Sequence, residues 1–297
     1  MPDRNFMPDR ELAVIQHSQA QLVACRFRRH RLAVVSLAVL LALVLLAFVG
    51  GWLWKYSVVD LTSDESVPPS WDHPFGTDAA GHDTFAQVLR GTQISIGIAV
   101  LGALVATVVG TVWGATAGYY GGRLDTVMMR IADLVLTLPF LAVAAVLGHN
   151  VGGSWWLIAA VIAGLYWAYV ARVGRGAVLS LREKEFVEAA RAIGAGDARI
   201  IFRHLVPNAL GSIIVNATVL VAIAILLETA LSYLGFGVRP PDTSLGLLVS
   251  DAQTAVDTRP WLFFFPGLFI ILIALTINFI GDGLRDALDP QQTRVRR

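Results

Sequence analysis

Apolar positions in this chain come in long blocks, with no sustained alternation. Six blocks, at residues 32–54, 94–119, 126–147, 155–173, 209–233 and 261–280, approach or exceed the length of about 20 apolar residues that carries a helix across a bilayer. Polar stretches separate them. The pattern predicts an all-α integral membrane protein with six transmembrane helices. The first block holds 14 Leu, Ile, Val or Phe residues and ends in Trp52 and Trp54, aromatic residues that favour the membrane interface. It outruns the roughly 7–15 apolar residues of a signal-peptide core, so it reads as a retained span. The third block is the weakest, because it contains Asp133 and Pro139. Asp133 sits near a helix end, where charge costs less than at the bilayer centre. Pro139 is tolerated where neighbouring helices or water satisfy the freed carbonyl.

Composition agrees with this pattern. Of 297 residues 56% are hydrophobic and only 15% charged, against about 25% charged in soluble domains. The net charge of +1 matters only through its placement. With the N-terminus inside, 19 of 23 Lys and Arg residues fall in the inner segments 1–31, 119–130, 172–209 and 281–297. The positive-inside rule then puts both termini in the cytoplasm. Cys25 is the single cysteine, so no intramolecular disulfide forms. The second block is rich in small residues, with Gly110 and Gly114 at the spacing that lets helices approach closely in lipid. Packing within one bundle is the simpler reading of that run, and a subunit contact the sharper one.

The inner segment 172–209 is too long and too charged for a plain connector. Phe186, Ala189, Ala190 and Ile193 recur at helical spacing, with Arg182, Glu183, Lys184, Glu185 and Arg191 on the other face. Gly194 follows as a helix stop. A second short helix, about residues 197–205, takes Asp197 as its cap and ends at Pro207. Such a helix–turn–helix suits a soluble partner whose groove accepts an amphipathic helix.

Here motifs accumulate. Glu188-Ala189-Ala190, then Gly194 and Pro207, resembles the EAA loop of ATP-driven (ABC) importer permeases. Arg203-His204-Leu205-Val206-Pro207-Asn208 is similar to the peptide-permease version of its end, while His204 and Val206 depart from the general pattern. His73-Pro74-Phe75-Gly76-Thr77-Asp78, the block 231–241 and the run 281–290 agree with it. Across roughly residues 25–290 the chain resembles the DppC/OppC-type subunits of dipeptide and oligopeptide importers. The resemblance implies a type I importer permease (MetI-like) core over 94–280, with the EAA coupling loop at 172–209. Around it lie a cytoplasmic segment 1–31, a first span 32–54, an extracytoplasmic loop 55–93 and a cytoplasmic tail 281–297. It further implies a bacterial inner-membrane location and a second, homologous permease as heterodimer partner. Two cytoplasmic ATPases would hold ATP and Mg, and an extracytoplasmic binding protein would deliver short peptides. Glu188, Ala189, Ala190, Gly194 and Pro207 would carry the coupling. Lipid surrounds the spans, and no nucleic-acid partner is expected.

Other residues are weighed against plainer roles. No Gly-x4-Gly-Lys-Ser/Thr loop is present, so ATP falls to a partner and the chain is expected to be non-catalytic. His73, Asp78, His82 and Asp83 are metal-ligand types. Their spacing fits no closed zinc pattern, so a structural role at the outer face is expected, with no metal and no cofactor in this chain. Glu228, inside the fifth block, is a pore or gate candidate, balanced against a carboxylate capped by neighbouring helices. Asp133 is expected to pair with Arg130 or Arg123. Asp282 and Arg285 are expected to pack the tail against the EAA loop. A nickel importer shares this architecture. A secondary transporter leaves the loop unexplained, and an intramembrane enzyme lacks a convergent nucleophile and base.

Overall fold

The computed structural model describes residues 19–150 and 153–288. Among the described residues the chain is helical, and a lone bridge between Thr77 and Asp83 stands in place of any strand. The helices are α1 (Gln19–Arg29), α2 (Arg31–Leu53), α3 (Thr84–Tyr120), α4 (Gly122–Thr137), α5 (Phe140–Asn150), α6 (Trp155–Leu181), α7 (Glu185–Ala192), α8 (Asp197–Tyr233), α9 (Leu245–Asp251) and α10 (Trp261–Leu288). Five of them are long and apolar enough to span a membrane, and the pair α4–α5, bent by 79°, makes a sixth when both helices count as one span. Five of the six predicted spans are therefore single helices, and the third is broken. Pro139 disfavours helical geometry at the residue before it. Leu138 is accordingly extended (φ −68°, ψ 135°), and α4 stops at Thr137.

Hydropathy underestimated four spans. It marks residues that sit in lipid, whereas a helix continues wherever capping and packing support it. Thus α3 starts ten residues before 94, at a cap where the Asp83 carboxylate accepts the Ala86 N–H at 2.7 Å. Similarly α6 runs on to Leu181, α8 begins at Asp197, and α10 continues to Leu288.

The closest seam joins α3 and α6. A Cβ at Gly114 would collide with the Ala171 carbonyl oxygen, and one at Gly118 would lie 3.0 Å from that of Arg175. The small-residue run thus packs inside the subunit, as the simpler reading had it. Outward from this seam, Ile98, Ile158, Ile162, Ile225, Leu245 and Ile273 form the main apolar core. Helix α9 wedges between α3 and α8, where Gly91 and Gly246 leave room for backbone contact.

The tail is a correction where it is described. Residues 281–288 continue α10 for two turns and lie against α1 and α2. Gly283 faces Phe27 and Ala33, and His30 Nε2 approaches Asp286 at 3.6 Å. Leu288 meets Gly211 at the start of the fifth span. Asp282 and Arg285 are exposed and do not bind this end to the EAA loop. The missing Cβ at Gly283 lets α1 cross there instead. Residues 1–18 and 289–297 of the expected terminal segments, Asp289 and Pro290 included, lie outside the described residues.

Candidate functional site

The segment after α6 folds as a hairpin at one end of the bundle. Helix α7 has Val187 and Ala190 turned inward. They join Ala115 and Tyr119 of α3, Val178 of α6, and Ile200, Ile201 and Leu205 in one small apolar core. This refines the expected apolar face. Ala190 is buried, but Phe186 and Ala189 lie on the open side, and Ile193 beyond the helix is 85% exposed. Glu188 is exposed beside them.

Gly194 makes the turn. Its φ of +80° is left-handed, and the Ala195 N–H closes back onto the Ala190 carbonyl at 3.0 Å. No neighbouring atom lies within 4 Å of where its Cβ would be, so backbone conformation, not crowding, demands glycine.

The second half of the hairpin differs from expectation. Gly196, not Asp197, occupies the cap position. Pro207 does not end the helix, since α8 runs through it into the membrane span. A π-helical turn at Ile200–Leu205 absorbs the proline, which has no N–H to donate. The Val206 N–H reaches five residues back, to the Ile201 carbonyl. The hairpin is therefore rigidly continuous with α8. Asp197 instead accepts the Tyr119 hydroxyl at 2.7 Å, with the Arg191 guanidinium 5.4 Å from the Tyr119 ring centre. Arg182 donates to the Gly118 carbonyl at 3.0 Å. Two side chains thus bolt the hairpin to the last turn of α3.

Glu228 is fully buried. Its carboxylate accepts Ser95 Oγ at 2.8 Å and Ser232 Oγ at 2.7 Å. Ser244 Oγ donates to Ser232 Oγ, and the Leu245 N–H to Ser95 Oγ, each at 3.2 Å. The geometry is that of a carboxylate capped by hydroxyl groups and locking α3, α8 and α9 together, not of an open pore wall.

These elements can now be set beside known proteins. Residues 110–294 match the family model of the binding-protein-dependent transport system inner membrane component, and residues 18–69 that of the N-terminal transmembrane domain of oligopeptide transport permease C. The chain belongs to this permease family. It is 42% identical over 283 residues to an oligopeptide transport system permease protein OppC of Mycobacterium tuberculosis, covering 94% of this chain and 97% of that protein. It is 39% identical over 271 residues to a dipeptide transport system permease protein DppC of Bacillus subtilis, covering 91% and 85%. The solved MetNI methionine ABC transporter, in an inward-facing conformation, has the same fold at TM-score 0.55 and 18% identity, over 68% of this chain and 96% of that one. The protein is thus an integral inner-membrane permease component of an ABC importer with the MetI-like fold.

In this permease the broken third span carries ion pairs that sequence reasoning mispaired or missed. Asp133 binds Arg172 at 2.5 Å, not Arg130 or Arg123. Asp125, unremarked in the sequence, holds Arg175 in a bidentate pair at 2.5 and 2.6 Å. No local signal gives these pairs, because both arginines lie about 40–50 residues away on α6.

At the other end of the bundle the four residues His73, Asp78, His82 and Asp83 separate into two couples. His73 Nδ1 meets Asp83 Oδ2 at 2.7 Å in a buried site, and His82 Nδ1 meets Asp78 Oδ2 at 2.9 Å. Asp83 also accepts the Trp54 indole N–H at 3.0 Å. The couples build the loop, as the structural role expected of them requires.

Proposed function

We propose that this permease forms one half of the pathway of a short-peptide importer, paired with a second, homologous permease. Its termini face the cytoplasm. Two ATPases, which hold ATP and Mg, dock on the hairpin of α7 and Gly194, while a binding protein delivers peptide to the cap at 54–83.

The observation that carries this reading is the open apolar face of the hairpin. Phe186 and Ala189 of α7, with Ile193 just beyond its end, form a ridge on a hairpin that is fixed to α3 and runs on into α8. A ridge of this kind fits a groove on a soluble partner. Movement of the partner would pass through Tyr119–Asp197 and the π-turn into two membrane helices. Ala190 and Gly194 shape the hairpin, Glu188 sits at the ridge, and Pro207 marks entry into α8. Peptide as cargo is supported by the names of the relatives.

Two experiments test the reading. In a Cys25→Ala background, a cysteine at Ser66 should react with an impermeant thiol reagent added outside intact cells, and one at Ala195 should not. Labelling of the Ala195 variant from outside overturns the orientation. The full complex in proteoliposomes should take up labelled di- to pentapeptides when ATP and binding protein are present. Uptake of nickel without peptide rejects the cargo and leaves the permease assignment standing.

A further inference from the structure

The ion pair Asp133–Arg172 sits oddly for a membrane helix. Its side chains remain 35% and 55% exposed. Trp113 and Trp167 pack 5.0 Å apart, and the Trp113 indole N–H donates to the Met128 carbonyl of α4. Asp133 lies five residues beyond Met128, about 7.5 Å further along α4 toward its break at Leu138. Charged groups on a membrane-spanning helix face a bundle interior or a water-filled cavity, not lipid.

Two clefts continue this pair along the same face. The first, about 380 Å³, is walled by Asp125, Asp133, Arg172 and Arg175. The second, also about 380 Å³, begins one turn onward on both helices. It is lined by Leu136, Phe140, Leu165, Tyr166, Tyr169 and Ile223, and the Phe140 and Tyr166 rings meet edge to face at 5.0 Å. It opens where the span is broken between Thr137 and Phe140, the kind of discontinuity that frees backbone groups beside transported solutes.

We propose that this α4–α6 face lines the translocation path and forms a transient subsite for a short zwitterionic peptide. Asp133 receives the ammonium end, Arg172 the carboxylate end, and the tyrosine-lined cleft an apolar side chain. The inference rests on the peptide-importer reading. Its chemistry is an exchange of partners. A solvated ion pair holds weakly. When a zwitterion inserts, each protein charge trades its partner for one of the same sign, and no charge is left bare. Arginine suits the carboxylate end because its planar fork binds both oxygens. Weak, exchangeable contacts let cargo pass instead of holding it. Asp125–Arg175, with Asp125 only 12% exposed, is the fixed anchor beneath.

The test uses the complete importer, with both permeases, the ATPases and the binding protein, in proteoliposomes. In the Cys25→Ala background, the Tyr169→Cys thiol should react with a water-soluble maleimide. Loaded binding protein and ATP should slow that reaction by roughly fivefold, as a weakly held occupant does. In parallel, the double variant Asp133→Leu, Arg172→Leu removes both charges together. A purely structural pair tolerates this exchange. The subsite does not, so peptide delivered per ATP hydrolysed should fall by roughly fivefold while binding-protein-stimulated ATP hydrolysis persists. An unreactive Tyr169→Cys thiol in the assembled complex, meaning a face sealed by lipid or by the second permease, overturns the proposal. So does full peptide uptake by the double leucine variant. Failure of the peptide reading looks different, since the wild-type importer then takes up no peptide at all.

Discussion

The cap at residues 54–83 and the hairpin at residues 182–205 close opposite ends of the same helix, α3, and each meets it through a carboxylate. The cap is stitched by buried polar groups. Asp83, fully buried, caps α3 while binding Trp54, just past the end of α2, and His73 from the loop. Phe75 stacks on Phe265 of α10 at 3.9 Å, and the Trp261 indole N–H reaches the Thr77 carbonyl at 3.3 Å. Three helices are thereby fixed to one loop. The hairpin is held differently, by a small apolar core, one Tyr–Asp hydrogen bond and continuity with α8. Its carboxylate, Asp197, is exposed. One end is thus stitched by buried polar groups, and the other leaves an apolar ridge uncovered. Surface-exposed apolar groups occur at both ends, Trp71 being fully exposed in the cap. The hairpin gathers three of them, Phe186, Ala189 and Ile193, at α7 and its end.

The comparison breaks most directly at Asp83. Asp83→Ala removes a helix cap and leaves the Trp54 and His73 donors without their acceptor, at a cost of about 3 kcal/mol. The complex should melt clearly lower and lose binding-protein-stimulated transport. An unchanged melting curve would show that the cap is not clasped by this carboxylate. Next in size, Ile193→Asp should leave that melting curve in place, because the side chain faces water. It should weaken ATPase association by about 2 kcal/mol, or roughly thirtyfold, as loss of an interface anchor does. Equal affinity of mutant and wild type would remove the ridge from the docking surface.

Smaller still, Tyr119→Phe deletes one hydrogen bond worth about 1 kcal/mol. It should lower peptide uptake per ATP more than it lowers ATPase binding, since the hairpin stays but its tie to α3 loosens. The reverse order would make Tyr119 a docking residue. Least of all, Lys55→Met should leave the melting temperature unchanged at any pH. The hydrogen bond between Lys55 and Asp72, 2.6 Å long, raises the lysine pKa and lowers that of the aspartate. The lysine contribution is present below its unfolded pKa and fades as pH rises through the folded value. The aspartate contribution is present above its unfolded pKa and fades as pH falls through the folded value. Both therefore hold at neutral pH, where water screens a fully exposed pair. A measurable drop there would mean that the clasp extends to this pair.

Much of this architecture is legible in the chain because bilayer burial writes itself as apolar blocks. The blocks locate every span, and Gly194 announces its turn because only a left-handed residue closes it. What escapes are features set by distant partners. The break at Leu138 was hidden because a proline in a membrane helix can kink or stop it, and neighbours decide which. Pro207 read as a terminator because its π-turn has no sequence signature. Asp197 and Asp133 were given local partners, yet each bonds to a helix far along the chain. The apolar side of α7 was visible, but which half of it is buried depends on α3 and α6.

The central claim is that the ridge at Phe186, Ala189 and Ile193 is the ATPase-docking surface. Its most direct test is the alkylation rate of an Ile193→Cys thiol in a Cys25→Ala permease, with and without bound ATPase subunits. The account predicts fast labelling of the permease alone and a rate lower by roughly tenfold or more in the complex, as burial at an interface core requires. Equal rates in both states would contradict it.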